Sequence, residues 1–414
     1  MSLALPTEIS HYVGVDWGTE HHAVCVLRGD GRVAARFTIT HSLDGFRQLH
    51  NRLAAFGDPA EVPVGIERPD GRLVDALLEA GHPVVPVKPH AIKQWRDGEV
   101  LSGAKSDAGD AEVIAEYLRL RAHRLRVATP YSGETKALRT LVRTRDDLVD
   151  MRVAATNQLS ALLDAHWPGA KAIFANIESP IALNFLARYP TPASAAHLGE
   201  KRIAAFCKQH GYTGRRPAAE LLSRLRSAPS GITDPTVSQA LRDSVLTLVA
   251  VLRCLNGGVK TLDTSISTRL EQHPDGKIFS SLPRSGVVNA AQMLAGWGDC
   301  RDAYDSPDAV AALAGLSPVT KESGKHRAVS FRWACNKRFR QAMTIYADNS
   351  RHASPWAANI YANARAAGKD HPHAIRVLAR AWTRIIYRCW QDGVPYNPEQ
   401  HGAAQRLDSV GSAA

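Results

Sequence analysis

Apolar residues in the first hundred positions fall in short runs rather than in helical stripes. His11 to Trp17 is one such run, rich in Val, and reads as a buried strand. A turn at Gly18, Thr19 and Glu20 leads into a second strand, Ala23 to Leu27, and Gly29-Asp30-Gly31 closes a hairpin onto a third, Arg32 to Thr38. Three antiparallel strands are therefore expected. Val62 to Ile66 and Val84 to Val87 are further strands, with helices from about Leu43 to Ala55 and from Leu73 to Ala80. Alternation of this kind over residues 1–130 predicts an α/β domain.

Beyond residue 130 the period changes. Leu138, Leu141, Leu148, Met151, Ala155, Leu159 and Leu162 predict one long helix from Glu134 to Ala165. Leu241, Val245, Leu248, Leu252, Leu255, Val259, Leu262 and Ile266 alternate steps of four and three, which is a heptad seam. Gly257 and Gly258 interrupt it, at about 1 kcal/mol each relative to alanine, so packing must hold that helix together. The two helices are expected to pair within the chain and also to serve dimerisation. Pro180, Pro190, Pro192 and Pro217 among short helical patterns, Lys201 to His210 and Ala218 to Leu225, mark an inserted helical subdomain. Residues 131–275 thus read as coiled-coil helices with an insertion, and residues 276–395 as a mostly α-helical domain. Its Trp356, Tyr361, Trp382, Tyr387 and Trp390 are expected in the core, and the polar segment 396–414 as a disordered tail.

A net charge of +11 on 414 residues points to a polyanionic partner, most simply nucleic acid. Six cysteines without CxxC spacing argue against disulfide or zinc frameworks and for a reducing cytoplasm. The sequence has neither a charged-flanked apolar run near residue 1 nor about 18 consecutive apolar residues, so no membrane partner is expected.

Four carboxylates carry the clearest chemistry. Asp16 and Glu67 each end a predicted strand, and Asp107 and Asp110 lie in the first turns of a helix capped by Ser106, with Val113, Ile114, Tyr117 and Leu118 as its apolar stripe. Side chains three apart on a helix point within about 60° of each other, so Asp107 and Asp110 share a face. Glu112 is assigned to the helix macrodipole. Acids converging from two strands and a helix repel one another unless divalent metal lies between them, and paired Mg²⁺, with Mn²⁺ as a substitute, is how proteins cut phosphodiesters. Lys88, Lys93, Arg96 and Lys105 flank this motif, where a phosphate backbone needs neutralising. His21 and His22 are expected to be solvated on a turn or to lie near nucleic acid.

Two later segments add to this. Leu282-Pro283-Arg284-Ser285-Gly286 is similar to a helix-hairpin-helix turn, whose backbone amides meet a DNA phosphate, although it has one glycine rather than two. Ser317 to Arg327, followed by Arg332, Lys337, Arg338 and Arg340, is the densest basic neighbourhood in the chain. Ser323, beside Gly324, is an accessible serine near cations that orient a phosphate. Arg284, Gly286, Lys105, Lys321, Lys325, Arg327, Lys337 and Arg338 are the expected nucleic-acid contacts. Ser323-Gly324-Lys325 is not a P-loop, since Val319 and His326 break that pattern, and Ser102 with Lys105 lacks the companion motifs of β-lactamases.

This order of motifs, with Asp16, Glu67, Asp107 and Asp110 first, then coiled coil, then the Leu282 to Gly286 turn and Ser317 to Lys325, resembles the insertion-sequence 110 family of DEDD transposases over residues 10–395. The resemblance implies an RNase H-like (RuvC-like) catalytic domain and a C-terminal transposase domain with a serine nucleophile, matched by Ser323, with Ser317 as the substitute. It further implies two Mg²⁺ ions held by the four acids, a covalent phosphoserine–DNA intermediate, an active site shared between domains, and a structured bridge RNA that selects donor and target DNA. A homo-oligomer, dimer or tetramer, associated with the nucleoid in the cytoplasm would follow. The competing readings are a Holliday-junction nuclease that uses water, a sugar-kinase-like ATPase suggested by Gly14 to Thr19, and a non-catalytic nucleic-acid-binding scaffold.

Overall fold

The computed structural model describes residue 5 and residues 8–99, 106–324 and 326–402. Two compact units divide the chain, Met1–Ser132 with Cys300–Asp305, and Gly133–Asp299 with Ser306–Ala414. The first is mixed α/β and the second mostly helical.

The first unit is built on strands β1 (His11–Asp16), β2 (His21–Arg28), β3 (Val33–Thr40), β4 (Val64–Ile66) and β5 (Val84–Pro86). They form one sheet in the order β3-β2-β1-β4-β5. The first three strands are antiparallel as expected, while β4 joins β1 in parallel and β5 joins β4 in parallel. Helices α1 (Leu43–Leu53) and α2 (Arg72–Glu79) cover one face, where Val13, Val15, Val24 and Ile66 pack with Leu49, Leu53, Leu73 and Leu77. Helix α3 (Pro89–Glu99), which the sequence pattern did not announce, precedes α4 (Asp107–Arg121).

Helix α4 covers the other face through Ala111 and Ala115, which pack on Ala23, Cys25 and Leu27. It approaches closely because β1 and β4 present glycines there. A Cβ on Gly14 would collide with the Ala111 carbonyl oxygen and the Ala115 amide nitrogen, and one on Gly65 would press on the Ile114 side chain. His22 departs from the expected solvated turn. It is an inward-facing residue of β2, fully buried, 2.8 Å from His41 through Nε2, and accepts from the Gly18 N–H at 3.3 Å.

In the second unit α5 (Gly133–His166) and the helix Pro235–Gln272 lie antiparallel. The order of their contacts establishes this: Thr135 meets His273, Arg145 meets Asp263, and Arg152 meets Asn256. Leu241, Val245, Leu252, Val259 and Ile266 of the heptad seam are buried, so the expected intramolecular pairing is present. Among the described residues Pro235–Gln272 is also the helix long and apolar enough, by length and composition, to cross a membrane, with mean hydropathy 1.4 over 18 residues. Residues of the insertion close a core at one end of the pair, with Trp167, Phe174, Phe185 and Phe206 packed ring against ring.

The C-terminal part packs Trp297 and Tyr346 in its core together with Trp356, Trp382 and Trp390, as expected of the last three, whereas Tyr361 and Tyr387 are only partly covered. Trp382 Nε1 donates to Ser350 Oγ at 2.8 Å. The segment expected as a disordered tail from residue 396 begins instead as structure, since the Tyr396 N–H donates to Ser281 Oγ at 2.8 Å and its ring meets Trp382 and His401. Residues 403–414 lie outside the described residues.

Candidate active site

The β1–β4 register aligns Val15 with Ile66, so the next residues, Asp16 and Glu67, stand side by side at the C-terminal ends of parallel strands. Side chains alternate along a strand. Asp16 therefore shares a face with Gly14, and Glu67 with Gly65, and this is the face under α4. The helix runs antiparallel to β1. Arg119 near its end donates to the Gly29 carbonyl, beyond the partner of His11, while Ala111 near its start lies over Gly14. Its first turn, with Asp107 and Asp110, thus belongs to the end of the sheet where Asp16 and Glu67 emerge.

Local sequence fixes that helix start. Ser106 Oγ accepts from the Gly109 N–H at 3.1 Å, as expected of an N-cap. Asp107 is exposed and Asp110 buried. Asp110 Oδ1 accepts from Arg96 Nη1 of α3 at 2.7 Å, between side chains only 12% and 22% exposed. That hydrogen bond, with smaller contributions from Asp97 and Glu67, holds the Arg96 guanidinium above its usual pKa. Glu112 stands apart, paired with Arg36 at 2.5 Å. Beside the strand ends, the Arg68 guanidinium lies 4.3 Å from the Trp17 ring centre and 3.4 Å from Asp70.

Carboxylate oxygens are the donor type that Mg²⁺ and Mn²⁺ take. By donor chemistry the residues suit such an ion. Yet among the described residues no three His, Cys, Asp or Glu side chains are gathered as a metal-holding group. Asp110 is paired with Arg96.

In the second unit the segment that carries Ser323 is a hairpin of β6 (Val319–Ser323) and β7 (His326–Ser330). Ser323 pairs with His326 at its tip, and Gly324 turns the chain with φ of 56°. Both strands are largely exposed, Lys321 included, and Arg327 pairs across the hairpin with Glu322 at 3.0 Å. Ser317, by contrast, lies before the hairpin with its Oγ buried. Lys105, Lys325, Ser102 and Glu99's side chain lie outside what is described. Lys337 is exposed at a helix start, but Arg338 is committed internally to Asp147 at 2.6 Å and to the Arg143 carbonyl at 2.9 Å. Arg340 likewise turns inward, donating to the Arg332 carbonyl and to Cys335 Sγ.

The hairpin-like motif at Leu282 connects helices Gly276–Ser280 and Val287–Trp297. Gly286 is the N-cap of the second and supplies no side-chain acceptor to its first amides. Arg284 is exposed with φ of 56°, the left-handed region usually filled by glycine. The absent second glycine is thus replaced by a cation in a glycine-like conformation. What the sequence reading passed over is a basic stripe on the helix His371–Asp392, visible as His373, Arg376, Arg380 and Arg384 at helical spacing.

Residues 13–168 match a family described as Transposase, the DEDD transposases of the IS110 type, and residues 276–362 match the Transposase IS116/IS110/IS902 family. A Streptomyces coelicolor protein named as a mini-circle transposase for IS117 is 31% identical over 96% of this chain and 98% of its own length. The 43.6 kDa protein of insertion element IS110 from the same organism is 28% identical over 94% and 96%. The 42 kDa protein of insertion element IS900 from Mycobacterium paratuberculosis is 26% identical over 95% and 98%.

Proposed function

The chain belongs to the IS110 family of transposases, and on that premise we propose that it moves an insertion sequence by cutting and rejoining DNA strands through a phosphoserine intermediate. The observation that carries the reading is the topology that brings Asp16 and Glu67 out beside each other at the end of the sheet served by the start of α4, where Asp107 and Asp110 lie. An RNase H-like fold for the first unit belongs to the same proposal.

In this reading Asp16, Glu67, Asp107 and Asp110 hold divalent metal, which when bound stabilises charge on the phosphodiester oxygens. Ser323 Oγ loses its proton, forms a bond to phosphorus, and displaces a strand's hydroxyl oxygen, which takes up a proton. A second strand's hydroxyl later attacks the same phosphorus and restores the serine. Bond number is conserved, so rejoining needs no external energy source. The net charge of +11 supports binding of donor and target DNA and of a bridge RNA that selects them. Exposure of Ser323 at a hairpin tip supports its role over that of Ser317, whose Oγ is buried. Met151, expected on the apolar stripe of α5, is exposed, as are Val153 and Val251 on the helix pair, which supports assembly of a homo-oligomer in a nucleoid-associated cytoplasmic complex.

Ser323→Ala tests this directly. Loss of the SDS-resistant protein–DNA adduct with Mn²⁺ binding retained is the expected result, and an adduct that survives refutes the serine. Cleavage that persists without an adduct instead identifies a nuclease that uses water. Asp16→Asn should abolish cleavage while sparing DNA binding, and sequencing of co-purified RNA tests the guide.

A further inference from the structure

Beneath the β6–β7 hairpin, within the second unit, lies a cavity of about 550 Å³. One wall is the helix His371–Asp392, whose His373, Arg376, Arg380 and Arg384 recur every three or four residues and so line one side. The opposite wall is the chain around Ser317 and the Val329–Arg332 stretch. Leu316, Val377 and Ala381 make much of the remaining lining apolar.

Its charges are matched only in part. Arg380 is paired with Asp308, at 2.9 Å. Arg332 donates to the Ser317 carbonyl at 3.0 Å, a neutral acceptor. The Arg376 guanidinium is stacked 4.9 Å from the centre of the Phe331 ring, which steadies it without cancelling its charge. Arg384 lends Asp308 only part of its field. Ser317 Oγ is buried with no hydrogen-bond partner among the described residues. Several cations facing one carboxylate, with a buried hydroxyl left unsatisfied, make a site for a group that carries both negative charge and hydrogen-bond acceptors.

We propose that this cavity binds a single unpaired nucleotide of a nucleic-acid strand, with its phosphodiester between Arg376 and Arg384 and its base against the apolar wall. The volume lies in the range of small-ligand sites, and a duplex is too wide to enter it. Arg on one side and an apolar surface on the other is the pairing that grips a splayed-out nucleotide. Position agrees, since β7 leads from this wall to His326, the partner of Ser323. Four strand steps span about 13 Å, a few nucleotides along an extended strand. This inference rests on the reading of the chain as a nucleic-acid enzyme and adds a place where a strand is held near the hairpin.

The test uses the full chain with 2-aminopurine-labelled single-stranded DNA, single-stranded RNA of the same sequence, and duplex DNA. Arg376→Ala with Arg384→Ala should weaken at least one single strand about tenfold to a hundredfold. It should also lower the dependence of log affinity on log salt by about 1.4, two phosphate contacts at the single-strand value. Duplex binding should stay unchanged. Val377→Trp, which fills the cavity and keeps the arginines, should lose the same strand's affinity and its 2-aminopurine signal with the salt dependence intact. The strand that responds, DNA or RNA, is the one the cavity takes. Unchanged binding of both single strands, or an equal loss for duplex, overturns the proposal. Neither outcome bears on Ser323, whose adduct assay stands or falls by itself.

Discussion

Arg96 Nη1 lies 2.7 Å from Asp110 Oδ1, so that an acid at the start of α4 is neutralised by a guanidinium from the helix before it. Two poorly hydrated partners in this geometry are worth more than an exposed pair. A divalent ion at Asp110 has to compete with Arg96 for the same oxygen. Arg96→Gln is therefore expected to lower stability in EDTA, through the lost ion pair at buried Asp110, and to bind Mn²⁺ about tenfold more tightly. Thermal unfolding and calorimetric Mn²⁺ titration measure the two effects. Equal Mn²⁺ affinity in both proteins would show that Arg96 does not compete.

Gly257 and Gly258 are adjacent in one helix yet should respond differently to alanine. A Cβ on Gly257 meets nothing within 4 Å, so Gly257→Ala should stabilise by about 1 kcal/mol through helix propensity. A Cβ on Gly258 comes 3.1 Å from Leu148 Cδ1 of α5, and Gly258→Ala should gain clearly less. Urea unfolding of the two variants side by side decides it.

Arg284→Gly should raise stability by about 1 kcal/mol, because a left-handed conformation costs a residue with a Cβ about that much. If Arg284 also contacts a phosphate, the same change should reduce the salt dependence of duplex binding by about 0.9. Arg284→Lys should keep the charge effect without the gain in stability.

His22 makes folding sensitive to acid. Burial, then the charges of His41 and His21, lower its pKa from 6.5 to about 4. The unfolded chain therefore binds more protons between those values, and the stabilisation from neutral His22 is complete above pH 6.5 and lost as pH falls towards 4. Between pH 7 and pH 5 the loss should be about 2 kcal/mol. His22→Gln should flatten that slope in denaturant titrations.

Elements set by local pattern were readable from the residues. Strand runs ending at Asp16 and Glu67, the Ser106 cap and the 34-residue helix from Gly133 all appear within a few positions of where they were expected. The β6–β7 hairpin was not readable, because its strands are exposed on both sides and carry no apolar alternation. His22 was misjudged for a related reason. A polar residue beside His21 gives no sign of direction until the sheet turns it inward.

By itself the sequence determined which side chains are available and the local segments that carry them: four acids at two strand ends and a helix start, a serine beside a glycine, and two long apolar seams. Tertiary structure decided their company. Only strand register puts Asp16 beside Glu67, only the close seat of α4 on Gly14 and Gly65 gives that corner its helical acids, and only packing puts Arg96 on Asp110. The physical reason is range. Period, capping and turn chemistry act over a few residues, whereas the partner of a charge is chosen by pairings between segments far apart in the chain.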